Sequence, residues 1–134
     1  MVGVLIIGHC HLAEELINAV EFIVGKLDKI EAVPINPSKS LEDLRQEIHD
    51  AIARVDSGDG VLILTDMFGG TPSNISLSFL EEEKVDVVTG VNLPMLIKLA
   101  HAREDKKLSE VAETIKSCGK QSICSANQIL KKRP

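Results

Sequence analysis

Apolar residues follow two alternating rhythms along the chain. Val2 to Ile7 is unbroken apolar sequence, which predicts a strand buried on both faces. From Leu12 the period lengthens. Leu12, Leu16 and Val20, with Ala13, Ile17 and Val24, recur at helical spacing, and Gly25 closes the helix. Ile30 to Ile35 predicts a second strand, ended by Asn36-Pro37. Ser40-Leu-Glu-Asp43 has the form of a capping box, and Leu41, Leu44, Ile48, Ile52 and Val55 mark the helix it opens.

After the turn Ser57-Gly-Asp-Gly60, Val61 to Leu64 predicts a third strand. Thr71 then serves as N-cap and Pro72 as first residue of a third helix. Val85 to Val88 predicts a fourth strand. Asn92 and Pro94 open a fourth helix through Met95, Leu96 and Ala100, and a fifth spans Leu108 to Ser117. Gln121 to Ser125 reads as one more short strand.

Strands alternating with helices predict an α/β fold of three layers, α/β/α, around a mainly parallel sheet. The 134 residues show no repeat, low-complexity tract or linker, so a single domain over 1–134 is expected. In such sheets ligands bind beyond the carboxyl ends of the strands. The unusual polar residues fall at those ends: Gly8-His9-Cys10-His11 after the first strand, Thr65 to Pro72 after the third, Gly90-Val91-Asn92 after the fourth.

Composition narrows the function. With three Phe and neither Trp nor Tyr, the chain lacks stacking platforms for single-stranded nucleic acid. A net charge of -5 disfavours non-specific binding to DNA or anionic membrane. The closing Lys131-Lys132-Arg133-Pro134 is short enough to read as a solvated tail. No apolar run approaches the roughly 20 residues of a membrane span, and the apolar start lacks the basic region and cleavage site of a signal peptide. Three cysteines, Cys10, Cys118 and Cys124, without a CxxC, fit a reducing cytoplasm.

His9 stands between a buried strand and a helix start, where free N–H groups favour an anion. An imidazole there can carry a phosphoryl group, although on position alone a hydrogen-bonded turn histidine fits as well. Asp66 is its natural partner: a carboxylate accepting from one ring nitrogen frees the other to attack. Taken singly, Asp66 also fits as a cap. Gly69-Gly70-Thr71-Pro72 provides a glycine turn into a helix start, where backbone and the Thr71 hydroxyl can approach phosphate. It reads equally as a plain connection. It lacks the Gly-Lys-Ser/Thr of a P-loop, so no ATP site is expected. His9, Cys10 and His11 are metal-ligand types at poor spacing, with no second pair elsewhere, and no metal or other cofactor is expected. His49 and His101 lie on helices; Asp56 and Asp59 flank a turn.

These residues also resemble a known family. Gly8-His9-Cys10-His11-Leu12-Ala13-Glu14-Glu15-Leu16 is similar to the Ser/Thr-His-Gly-x-x-Ala-x-x-Leu segment of the IIA component of the mannose/fructose/sorbose class of the bacterial phosphoenolpyruvate-dependent sugar phosphotransferase system. Val61 to Asn74 resembles its second motif, the most specific, and Gly90-Val-Asn-Leu-Pro-Met95 its third. The resemblance covers essentially the whole chain. It implies a flavodoxin-like sheet, phosphorylation of His9, orientation of that ring by Asp66, and Thr71 beside the phosphate. With Thr71, Gly70 and Cys10 are the expected phosphate-binding positions. It further implies a homodimer with a swapped strand near the C-terminus, around Gln121 to Ser125.

The expected partners are the histidine phosphocarrier protein as donor and a IIB component as acceptor, in sugar uptake. Gly8 departs from the usual small hydroxyl residue, and Cys10 from the usual glycine. The phosphotransfer subunit of dihydroxyacetone kinase has a similar fold and histidine but lacks Gly-Gly-Thr-Pro-x-Asn. A regulatory IIA-like domain that reports phosphorylation state, and a metal-binding protein using His9, Cys10 and His11, are the alternatives of other classes.

Overall fold

A computed structural model describes residues 1–67 and 69–131, with Thr71 and Pro72 described by their backbone alone. The elements run β1 (Gly3–His9), α1 (Leu12–Val24), β2 (Ile30–Ile35), α2 (Leu41–Val55), β3 (Val61–Thr65), α3 (Thr71–Leu77), β4 (Val85–Thr89), α4 (Leu93–Ala102), α5 (Leu108–Gln121) and α6 (Ala126–Lys131). All strand pairs are parallel, in the order β2-β1-β3-β4. That is the flavodoxin-like arrangement, in which the chain reverses its direction of travel between β1 and β3.

The pleat sorts the core into two layers. Val4 and Ile6 of β1 with Leu62 and Leu64 of β3 face α1, α4 and α5; Leu5, Ile7 and Ile63 face α2 and α3. Both faces of β1 and β3 are therefore covered, and their apolar side chains are fully buried. This explains why these strands read as continuous apolar runs instead of alternating.

Local chemistry sets the helix ends. The Ser40 Oγ accepts from the Asp43 N–H at 3.1 Å, and the Asn92 Oδ1 accepts from the Met95 N–H at 3.1 Å, so both predicted N-caps hold. Gly25 ends α1 at φ 89, a conformation that suits glycine. At α3 the expected boundary shifts by one residue. Gly70 is the N-cap and Thr71 already lies inside the helix, because the extended backbone of Gly70 makes the turn that a Thr cap was expected to make.

The strand expected over Gln121 to Ser125 does not form in this chain. α5 continues to Gln121, and the Ser122 hydroxyl donates to the Cys118 oxygen at 2.7 Å, prolonging the helical winding. Residues 122–125 then pass outside the sheet into α6, which has no buried residue. A β-like segment makes a strand only where an edge is free to pair with it, and here α5 runs on through its first residue. The basic tail beyond Lys131 lies outside the described residues.

Candidate functional site

β1 runs further than its neighbour. Its register pairs Ile7 with Thr65, the last residue of β3, so Gly8 and His9 project beyond β3. On the other side β1 stays paired with β2 as far as His9 opposite Ile35. With no β3 residue opposite, the His9 backbone N–H donates to the Asp66 Oδ2 at 2.8 Å. The same oxygen lies 2.7 Å from the His9 Nδ1. One carboxylate oxygen thus fixes both the backbone and the ring of His9.

This pair sits at the switch point between β1 and β3, where doubly wound sheets open to ligands. The His9 side chain is 50% exposed and that of Asp66 only 11%. Burial pushes the Asp66 carboxyl up. The hydrogen bonds from the His9 backbone and ring, the charge of that ring and the Met67 N–H push it down more strongly, and the balance lies below the ordinary carboxylate value. Asp66 is therefore an anion at neutral pH, available to a positive ring. A neutral imidazole that donates from Nδ1 keeps its lone pair on Nε2. The arrangement can hold His9 as a nucleophile, with charge compensation behind it and an accessible nitrogen in front.

The remaining predicted site residues separate. Cys10 follows directly, exposed, in the left-handed region at φ 55. That backbone suits glycine and strains a larger residue. Gly69 makes the turn before α3 at φ 89, and Gly70 follows in extended backbone. Thr71 begins α3, but its side chain lies outside the described residues. His11 turns away onto α1, where its ring stands 3.6 Å from Glu14. Among the described residues no group of three or more His, Cys, Asp or Glu is gathered as a metal site would require. Exposed His49 lies beside Asp50, and Asp56 and Asp59 serve the turn and the chain start.

Two features escaped the sequence. Leu12, which recurs with Leu16 and Val20 at helical spacing, is 46% exposed, and Met67, next to Asp66, is 56% exposed. Periodicity places Leu12 on the helical stripe but does not show how much of the first turn the rest of the chain covers. The proximity of Gly8 to Asp66 is the second, and no local pattern signals it.

Fold and site together define a doubly wound α/β protein with a carboxylate-oriented histidine at the topological switch point. The family model for the PTS system fructose IIA component matches residues 3–116. The PTS system fructose-specific EIIA component of Bacillus subtilis is 33% identical over 128 residues, which are 93% of this chain and 88% of that protein. The sorbose-specific EIIA component of Lacticaseibacillus casei is 33% identical over 109 residues, 81% of this chain and 78% of that protein. A crystal structure of the PTS IIA protein associated with the fucose utilization operon of Streptococcus pneumoniae superposes with a TM-score of 0.84 at 29% identity, covering 96% of this chain and 95% of that one. The chain belongs to the mannose-class IIA family of the sugar phosphotransferase system. It is thus a phosphotransferase-system component of sugar transport, and among the described residues no helix is long and apolar enough to cross a membrane.

Proposed function

We propose that this protein is a phosphocarrier that takes a phosphoryl group on Nε2 of His9 from the histidine phosphocarrier protein and passes it to a IIB component. The observation that carries this is the 2.7 Å contact between the His9 Nδ1 and the buried Asp66 carboxylate, with the ring half exposed. In loading, the Nε2 lone pair attacks phosphorus in line as the donor's phosphorus–nitrogen bond breaks. The Nδ1 proton stays between His9 and Asp66, so the charged phosphoimidazole is compensated from the moment it forms. In unloading, the acceptor attacks from the same open side and the ring leaves as a neutral imidazole. Gly70, Thr71 and Cys10 are the positions we assign to the phosphate oxygens, with backbone N–H groups at the turns as donors.

The working protein in this reading is a cytoplasmic homodimer. β4 ends the strand order, and a cavity of about 520 Å³ runs beside it, lined by Leu77, Val87, Met95 and the strongly exposed Ile123 among others. The segment around Gln121 to Ser125 of a second copy is the strand we assign to that edge. Sedimentation at micromolar concentration tests it, and a monomer rejects it.

The phosphocarrier reading is tested by reconstitution with phosphoenolpyruvate, enzyme I and the phosphocarrier protein, followed by mass spectrometry. One phosphoryl group on His9, stable in alkali and lost in mild acid, is expected. No label, or label on another residue, rejects it.

A further inference from the structure

β3 is apolar from Val61 to Leu64 and ends in Thr65, its one polar side chain, which is fully buried. Side chains alternate between the faces of a strand. Thr65 therefore shares the face of Val61 and Ile63, which belong to the core layer packed against α2 and α3. Its register partner on β4 is Thr89, and Val85 and Val87 of that strand border the same layer, so Thr89 lies on this face too. α3 packs on β3 and β4, and because it starts beyond the end of β3, its first turn lies at their carboxyl ends. Ser73 stands in that turn and is fully buried.

The hydroxyls of Thr65 and Ser73 both lack a hydrogen-bond partner within the chain. A buried hydroxyl left unpaired is destabilising. Valine would fill the space of Thr65 with nearly the same shape, and alanine favours a helix more than serine does. Two such hydroxyls at one end of one layer call for a shared explanation. The two residues also stand immediately before and after segment 66–72, which carries Asp66 and the Gly69-Gly70 turn. The Thr65 backbone oxygen accepts from the Val91 N–H at 2.9 Å, so the backbone at this end of the segment is already held.

We propose that one buried water lies among the hydroxyls of Thr65, Ser73 and Thr89 and joins the two ends of segment 66–72. A buried water makes about three hydrogen bonds to polar groups that lack other partners. A hydroxyl both donates and accepts, so three of them match that demand. Thr65 and Ser73 are then positioning residues, since neither side chain is exposed to an incoming phosphoryl group. Thr65 fixes its neighbour Asp66, whose Oδ2 holds the His9 ring. Ser73 fixes the far end of the segment, where the glycine turn enters α3. The effect on phosphotransfer rests on His9 being the phosphoryl carrier, and the water does not.

The test combines three measurements on the full chain. In the wild type, NMR should show nuclear Overhauser effects from a long-lived water to protons of both Thr65 and Ser73, and their absence overturns the proposal. In urea unfolding, Thr65→Val and Ser73→Ala should each raise the unfolding equilibrium constant about tenfold. The double variant should lose about tenfold as well, because the first loss already breaks the bridge. Losses that multiply to about a hundredfold, or single variants as stable as wild type, overturn it. In loading, Thr65→Val should lower kcat about tenfold with KM for the phosphocarrier protein unchanged, since the partner surface is untouched. Thr65→Ser keeps the hydroxyl and should restore the rate; equal slowing in Thr65→Ser and Thr65→Val overturns the positioning role. Should Thr65→Val fail to fold, the wild-type water signals and their loss in Ser73→Ala decide. The first two measurements need no phosphoryl donor, so failure to label wild-type His9 rejects the carrier reading separately.

Discussion

At the amino end of the sheet the Arg103 guanidinium is 4% exposed, and its Nη1 donates to the backbone oxygens of Val2 at 3.2 Å and Lys29 at 3.3 Å. At the carboxyl end the Asp66 carboxylate is nearly as buried, but its bonds come from a half-exposed histidine. Burial pushes both groups toward neutrality. For Arg103 that push prevails over the neighbouring Glu104 and Asp28 charges, although a guanidinium starts so high that it stays charged. For Asp66 the His9 contacts prevail and the charge is reinforced. Arg103 binds neutral carbonyls that cannot change state, so it ties β1 to the start of β2. Asp66 binds an imidazole ring that is half exposed to solvent. A buried charge therefore serves structure or chemistry according to whether its partner can change.

The contrast breaks most visibly at His9. His9→Gln should abolish phosphoryl labelling in the reconstituted system and leave unfolding within about 1 kcal/mol of wild type. His11→Gln should keep the label, since that ring is turned toward Glu14. Label lost in His11→Gln and kept in His9→Gln would reverse the assignment.

Asp66→Asn keeps the shape but removes the anion, and loading should slow about 100-fold, within the usual range for such a group. Transfer at the wild-type rate would take Asp66 out of the mechanism.

Arg103→Met tests the other end. Leaving buried carbonyls without a donor should cost about 2–4 kcal/mol in denaturant unfolding. The protein that remains folded should label as wild type. A loss of labelling beyond the loss of folded protein would show that the two ends are coupled.

A smaller effect is expected at Cys10, whose backbone sits at φ 55. Cys10→Gly should stabilise the fold by about 1 kcal/mol by relieving the left-handed strain. An unchanged or lower midpoint would mean that the thiol makes a compensating contact.

The smallest effect is in the pH dependence. The folded-state pKa of Asp66 is depressed, so its stabilising contribution is present above the unfolded value and is lost as pH falls through the folded one. The stability gap between wild type and Asp66→Asn should narrow below the ordinary value of 3.8. A gap that stays constant into acid would show that Asp66 holds the fold by shape alone.

The strands of the core and the five longer helices were legible because each carries a local signal. Val61 to Leu64 is apolar throughout because both its faces are covered, and Ser40 and Asn92 cap helices through bonds spanning only three residues. The motifs around His9 and Asp66 also lay in the sequence, as separate strings. At Gln121 to Ser125 no strand forms within the single chain, because β-like composition does not say which edge, its own or another copy's, is in reach.

By itself the sequence determined the alternation of elements, the capping residues and the two polar strings that end β1 and β3. These depend on periods of two and 3.6 residues and on hydrogen bonds between near neighbours. Only the tertiary structure decided that β1 lies beside β3 and outruns it, which brings the His9 ring within 2.7 Å of Asp66 across 57 residues of chain. It alone brought one oxygen of that carboxylate onto both the backbone N–H and the ring of His9. Strand order and register are fixed by the joint burial of all the strands and helices, and no local stretch of sequence contains that sum.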